Sequence, residues 1–246
     1  MIRVRFHGRG GQGAKVASRV LGTAAFFEGY YAQDFPLYGA ERRGAPIAAF
    51  TRISKEPVLE RGIIAEPDIV IVMDETLLND KTANPLAGVK EGGIVFINTT
   101  HSHVEVKVKY KISATVMTLD LTKIGLEKLG RAVLSTLAGG VAAKLAGLNE
   151  ASLRKAVEKE TSEIITDRET IEKNIEAAVY CYNAVSVGKG LKPAPTIYKG
   201  SPVINIPFEP ADISAPSVNS AANTPMRKTG NMRIFRPVWD YEKCTK

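Results

Sequence analysis

Alternation of apolar and polar positions begins at the second residue. Ile2, Val4 and Phe6 share one face of an expected strand over residues 2–6, with Arg3 and Arg5 on the other. The glycine-rich turn Gly8-Arg9-Gly10-Gly11-Gln12-Gly13 follows, and residues 14–27 carry Val16, Val20, Leu21, Ala24 and Ala25 at helical spacing. Strand, glycine turn and helix, in that order, are the start of an open α/β sheet. Further strands are expected over residues 30–34 (polar and weak), 47–53, 68–73, 93–98, 107–109 and 114–119. The run Asp68-Ile-Val-Ile-Val-Met73 is apolar on both faces, as parallel central strands are. Residues 75–86 and 121–148 supply helices. In the second of these Leu134, Leu137, Val141 and Leu145 mark one face, and Gly139-Gly140 marks a close packing contact. Asn149 caps a short helix over residues 150–159. Thr166-Asp-Arg-Glu169 has the capping-box pattern and opens a long helix striped by Ile171, Ile175, Val179, Tyr182 and Val185, which Gly188 and Gly190 stop. The expected fold is a doubly wound α/β domain over residues 1–191, an open sheet with helices on both faces.

From residue 192 the periodicity vanishes. Eight of the 13 prolines fall in residues 192–246, and residues 215–224 are small and polar, so this stretch reads as an extended Pro-rich C-terminal arm rather than a second core. The net charge of +7 divides unevenly: residues 192–246 carry eight Lys/Arg against four Asp/Glu, whereas residues 1–191 carry 25 against 22. The arm lacks a dense basic run and interleaved aromatics, which argues against nucleic-acid binding. The remaining composition, 44% hydrophobic and 24% charged with mean hydropathy −0.06, excludes a wholly disordered chain. Apolar runs such as residues 69–73 and 94–97 fall far short of the ~20 residues that span a bilayer, so no membrane segment is expected. The chain enters its first strand without an apolar leader, and its two cysteines, Cys181 and Cys244, make no disulfide framework. Both features point to the cytoplasm.

Two stretches carry candidate chemistry. Gly8, Gly10 and Gly13 satisfy G-x-G-x-x-G between a strand and a helix. There the backbone turns tightly, and N–H groups at the helix start favour an anion. Gly11 and Gln12 complete the turn, Arg9 adds a guanidinium at its mouth, and Asp34, about 20 residues on, is placed to bond a ribose as in a dinucleotide site. The bland alternative is a tight structural turn. The second stretch, Phe35-Pro-Leu-Tyr38-Gly-Ala-Glu41-Arg42-Arg43-Gly44-Ala45-Pro46, sets two arginines beside a glutamate. It reads either as a solvated loop with a local ion pair or as an interface loop in which Arg42 or Arg43 reaches an anion. Other polar residues carry less. His101 and His103 lack an accompanying cysteine or carboxylate cluster, so a metal site is not expected there. His7 flanks the glycine turn. Asp74 sits at a strand's carboxyl end, as a ligand contact or a helix N-cap. Cys181 reads as core.

Together, the turn at residues 8–13 and Gln33-Asp-Phe-Pro-Leu-Tyr-Gly-Ala-Glu-Arg-Arg-Gly-Ala-Pro46 closely resemble the gamma subunit of pyruvate-type 2-oxoacid:ferredoxin oxidoreductases. Glu66-Pro-Asp-Ile-Val-Ile-Val-Met-Asp74 and Gly92-Gly-Ile-Val-Phe-Ile-Asn98 also match, and the resemblance covers about residues 1–190. Ser217-Val-Asn-Ser220 and Lys228-Thr-Gly-Asn-Met-Arg-Ile-Phe-Arg-Pro-Val-Trp239-Asp-Tyr-Glu-Lys-Cys244 resemble the opening of the delta subunit, a small ferredoxin-like component with two [4Fe–4S] clusters. In that subunit the matching cysteine begins a cluster motif, so Cys244 is a metal ligand only where the native chain continues into such a motif. The expected organisation is a gamma–delta fusion that stops before its cluster domain.

The resemblance implies oxidative decarboxylation of pyruvate or a related 2-oxo acid such as oxalate. It implies thiamine diphosphate with Mg²⁺ and [4Fe–4S] clusters in the complex, and CoA as a possible co-substrate. Electrons pass to ferredoxin, and the partners are alpha, beta and delta-type subunits. No catalytic residue and no cofactor bound by this chain alone are expected. The gamma domain would pack beside the thiamine site. Gly8, Arg9, Gly10, Gly11, Gln12 and Gly13 would line the CoA phosphates or the adjacent wall, and Tyr38, Glu41, Arg42 and Arg43 would meet a subunit or an anion. The alternative is a stand-alone NAD(P)-binding Rossmann-type oxidoreductase using Gly8, Gly10, Gly13 and Asp34.

Overall fold

In the computed structural model, which describes residues 1–37 and 44–186, six strands form one mixed sheet. The strands are β1 (Ile2–Arg9), β2 (Tyr31–Pro36), β3 (Pro46–Ser54), β4 (Ile69–Val72), β5 (Ile94–Asn98) and β6 (Thr115–Leu119). Their order is β2-β3-β1-β4-β5-β6. β1, β4, β5 and β6 are parallel, β3 runs antiparallel to β1, and β2 runs antiparallel to β3. The helices are α1 (Ala14–Phe27), α2 (His103–Lys109), α3 (Leu121–Leu129), α4 (Ser135–Leu145), α5 (Glu150–Ser162) and α6 (Arg168–Ala184), with a 3₁₀ turn at Glu75–Asn79.

Alternation along the parallel strands divides the core in two. Ile69, Ile71, Ile94 and Phe96 face α1, α4, α5 and α6 in the larger cluster. Val70, Val72, Val95 and Ile97 face Leu77 and Val106 in the smaller one. Burying both faces is what the unbroken Ile69-Val-Ile-Val72 run requires, and the expected open sheet with helices on both faces is the fold observed.

Four expectations about single elements are corrected. Residues 107–109 are the end of helix α2, because Ser102 and Glu105 close a capping box that overrides the Val104/Val106/Val108 alternation. Residues 75–86 contain only the 3₁₀ turn, since the Asp80 side chain accepts N–H groups from Thr82 and Ala83 and turns the chain. Residues 121–148 are two helices, broken at Gly130 in the left-handed region. The long C-terminal helix is capped by Asp167, which accepts from Thr170 N–H, rather than by Thr166. The glycines Gly188 and Gly190, and the arm over residues 192–246, lie outside the described residues.

Candidate functional site

Strand β1 runs three residues further than its alternation indicates, because Gly10 N–H donates to Ala45 (2.8 Å) and Gly44 N–H to Gly10 (3.0 Å). The chain then reverses through Gln12 N–H to Arg9 C=O (2.9 Å), with Gly11 at φ 98° and Gly13 at φ 84°. Both φ values lie where L side chains are strained, so the third glycine of the motif is demanded by backbone geometry.

The turn sits at the carboxyl end of β1, beside the carboxyl end of β4. From here α1 leaves to one face of the sheet, and the 3₁₀ turn after β4 leaves to the other, with Leu77 in the smaller core. Such a switch point is where open α/β sheets receive ligands. Asp74 closes one side of it. Its carboxylate caps Thr76 N–H (3.0 Å), accepts from Gln12 Nε2 (3.0 Å) and pairs with Arg9 Nε (3.1 Å). Partial burial opposes ionisation of Asp74. The Thr76 and Gln12 hydrogen bonds and the Arg9 charge outweigh it and hold the carboxyl below its ordinary range. Arg9 also donates to Thr76 Oγ1 (2.6 Å) and Gly44 C=O (3.2 Å), and Gln12 Oε1 accepts from Arg9 N–H (2.7 Å). Arg9 and Gln12 therefore act first as braces of the turn.

The helices contribute in a way the sequence pattern does not reveal. The 3₁₀ turn and α2, α3, α5 and α6 each have a side-chain N-cap, whereas α1 and α4 have none. These two uncapped N-termini meet. A Cβ placed on Gly13 would lie 2.6 Å from Ser135 Cβ, and one on Gly139 would lie 2.7 Å from Val20 Cγ1, so α1 and α4 run side by side in the same direction. Their dipoles are aligned rather than opposed, which places two positive ends at one spot and favours an anion there. Lys15, exposed on the first turn of α1, lies near enough to Asp34 for its charge to act there. Ser135 and Lys15 were not singled out from sequence. The only trace of the pairing is Gly139-Gly140, whose expected close contacts are with Val20 and with Ala178.

Tyr38, Glu41, Arg42 and Arg43 lie outside the described residues, as does Cys244. The described flanks of the first group are Leu37, which donates to Ala48 C=O (2.9 Å), and Gly44, stitched to Gly10. His7 is buried with no hydrogen-bond partner at Nε2 among the described residues, and burial, helped by the Arg5 charge, pushes its pKa down to about 3. His101 Nε2 stands 4.0 Å from Glu75, which also holds Lys109 and Tyr110 (3.0 Å each) and accepts from Thr99. Among the described residues no three His, Cys, Asp or Glu side chains come together at metal-binding distance. Cys181 is core, its thiol pushed up to about 12 by burial.

The dinucleotide reading fails on register. Asp34 pairs with Thr51 and Thr51 with Val4, so Asp34 is level with Val4 and separated from β1 by the antiparallel strand β3. Gly8 is four residues up the strand, about 13 Å, and two strand spacings away, about 10 Å. Asp34 instead packs against Gly22 of α1.

Comparison with known proteins gives a consistent result. Residues 3–184 match the family described as pyruvate ferredoxin/flavodoxin oxidoreductase. The chain is 44% identical over 189 residues to the pyruvate/ketoisovalerate oxidoreductases common subunit gamma of Thermococcus kodakarensis, covering 76% of this chain and 98% of that protein. It is 42% identical over 183 residues to pyruvate synthase subunit PorC of Methanothermobacter marburgensis, covering 74% and 96%. The crystal structure of pyruvate oxidoreductase subunit PORC from Thermotoga maritima superposes with a TM-score of 0.63 at 34% identity, covering 74% of this chain and 95% of that one.

Proposed function

We infer the role of this chain from its family: it belongs to the pyruvate ferredoxin/flavodoxin oxidoreductases and is a subunit of their gamma type. It is therefore one subunit of an enzyme that oxidises a 2-oxo acid with ferredoxin as electron acceptor. Pyruvate or a close relative such as oxalate is the substrate we assign, and the cytoplasm is the compartment. Thiamine diphosphate with Mg²⁺ supplies decarboxylation chemistry in such an enzyme, and [4Fe–4S] clusters carry the electrons. The described residues fit neither group, since they offer no acidic ligand set and no cluster of cysteines. We assign both to alpha, beta and delta-type partners, and derive no step through them.

This chain's own contribution is to hold an anion beside that chemistry. The observation that carries the reading is the meeting of two parallel, uncapped helix N-termini, those of α1 and α4, at Gly13 and Ser135. Gly8, Arg9, Gly10, Gly11, Gln12 and Gly13 form the wall, with Arg9 and Gln12 braced on Asp74. The phosphates of CoA are the anion this wall suits. Tyr38, Glu41, Arg42 and Arg43 contact that ligand or the neighbouring subunit. Residues 1–191 form the gamma-type domain, and residues 192–246 tether a ferredoxin-like cluster domain for which Cys244 is the first ligand. The family match ends at residue 184, which supports that division.

Native purification through this chain tests the complex. Thiamine-binding and cluster-binding chains in equal stoichiometry are expected, and a lone 26.6 kDa protein would overturn the reading. Within the purified complex, Arg42→Ala is expected to raise the KM for CoA about tenfold with kcat little changed, the loss of one charge-assisted contact. An unchanged KM together with unchanged assembly removes the loop from the site.

A further inference from the structure

We propose that the cleft at the carboxyl ends of β5 and β6 is a second ligand site, and that it takes the ribose diol of a nucleoside. It is separate from the anion site at the glycine turn and does not depend on it.

The connectivity of the fold opens this cleft. β5 and β6 are parallel neighbours. The chain leaves β5 for the face of the smaller core, where Val106 of α2 packs, and leaves β6 for the face of the larger core, where Leu121 and Ile124 of α3 pack. Adjacent parallel strands whose chains part to opposite faces leave a crevice outside their carboxyl ends, as at β1 and β4. Between β4 and β5 there is no such parting, since Leu77 and Val106 both enter the smaller core. The crevice at β5 and β6 measures about 630 Å³, within the range of small-molecule sites. Its polar groups converge from both strand ends. Asn98 forms the floor: its amide donates to Met73 C=O (3.0 Å) and Thr122 Oγ1 (3.1 Å), and its Oδ1 accepts from Leu121 N–H (2.8 Å). Asn98 is thereby committed to structure, and so is Glu75, which holds Lys109, Tyr110 and Thr99.

The groups left over select the ligand. Asp120 gives one oxygen to Lys123 N–H (2.9 Å) and has no bond to the other among the described residues. Thr122 accepts from Asn98 and retains its hydroxyl proton, and Thr100 is exposed. Leu126, 54% exposed, supplies an apolar wall, and Lys123 and Glu127 stand at the rim 3.9 Å apart. A phosphate is disfavoured, because Asp120 already caps α3 and sets its charge where a free helix end would attract an anion. A cation finds a single open carboxylate oxygen and faces Lys123 in the same cleft. A vicinal diol suits what remains. Its hydroxyl groups donate to the open Asp120 oxygen and accept from Thr122, and a base attached to the sugar covers Leu126. A free sugar would leave that wall uncovered, so the fit is to a nucleoside.

Calorimetric titration of adenosine into the purified complex is the test. At the efficiency of drug-sized ligands, adenosine is expected to bind with a Kd on the order of 50 µM. The 2′-deoxynucleoside is expected to bind about tenfold more weakly, having lost one hydrogen bond to a charged group. ADP should bind no more tightly than adenosine, and excess CoA should leave the adenosine affinity unchanged. Asp120→Asn keeps the Oδ1 that caps α3 and turns the open oxygen into an amide, so adenosine should bind about tenfold more weakly with melting little changed. Leu126→Glu, at an exposed position where folding is little affected, should weaken it comparably. Absence of binding at millimolar adenosine overturns the proposal. Equal affinity for the deoxynucleoside overturns it too, since no diol is then read. Binding that survives both substitutions belongs to another subunit. Tighter binding of ADP, or displacement by CoA, assigns the nucleoside to the glycine turn instead.

Discussion

His7 shows how a single side chain can be placed by pattern yet misjudged in environment. Its position beside the glycine turn fits a ligand contact or an ordinary hydrogen-bonded histidine, but the fold buries Nε2 without a partner among the described residues. Burial, reinforced by Arg5 two residues away, pushes its pKa down to about 3, whereas in the unfolded chain it titrates near 6.5. Above pH 6.5 both states are neutral at this site and stability is unaffected. As pH falls from 6.5 toward 3, the unfolded chain binds a proton that the folded chain refuses, so stability falls by about 1.4 kcal/mol per pH unit. Between pH 7 and pH 5, urea unfolding of the wild type is expected to lose about 2 kcal/mol more than that of His7→Gln. Equal losses would mean that His7 finds a proton acceptor in the folded state. Gly13 is the opposite case. Its backbone demand was legible in the spacing of the motif, whereas its neighbour Ser135, 122 positions along the chain, has no local signature.

At the scale of elements, legibility followed the number of local signals. α1, β4 and β5 each had periodicity and a boundary residue in agreement and lie within one residue of where they are expected, and β1 starts where expected and runs three residues further. Strand pattern failed at residues 107–109, where Val104, Val106 and Val108 alternate yet only Val106 is buried, and Ser102 with Glu105 fixes a helix. If that box decides the element, Ser102→Ala should cost about 1 kcal/mol and speed amide exchange in α2 selectively. Exchange unchanged in α2 would give the decision to Val106 packing instead. The arginines of β1 show what alternation leaves out. Arg3 and Arg5 share the face opposite Ile2, Val4 and Phe6, and there Arg5 is buried and donates to the carbonyl groups of Ile64 (3.0 Å) and Pro85 (2.9 Å). Arg52, also buried, holds Gln33, Glu60 and Gly62. These guanidiniums pin a long irregular segment to the sheet, and no periodicity encodes which carbonyl groups an arginine will reach.

The whole molecule adds what neither scale contains, the order of strands. A glycine turn followed by an acid about 20 residues on is compatible with a dinucleotide site. Inserting β3 between β1 and β2 takes Asp34 away from the mouth and leaves Asp74, on the other side, as the carboxylate at the switch point. The site is therefore a balance of two positive helix ends against one anion that also braces the turn. That balance separates charge from scaffold. Asp74→Asn can still cap Thr76 through Oδ1, but its Nδ2 replaces the oxygen that accepts from Arg9 and Gln12, so it removes a negative charge from the mouth and releases both of those contacts. If phosphates bind there, it should tighten CoA binding in the purified complex severalfold, on the order of 1 kcal/mol, and more strongly at low salt. Asp74→Ala loses the Thr76 cap as well. It should destabilise the chain by about 1–2 kcal/mol and weaken CoA binding, since the chain at the end of β4 is no longer held in place. Opposite signs for the two variants, read as the salt dependence of the CoA Kd, are the signature of an anion held at the turn. If both variants weaken binding equally, Asp74 acts through structure alone. If neither changes it, the phosphates bind elsewhere, and the two uncapped helix ends serve only to pack α1 against α4.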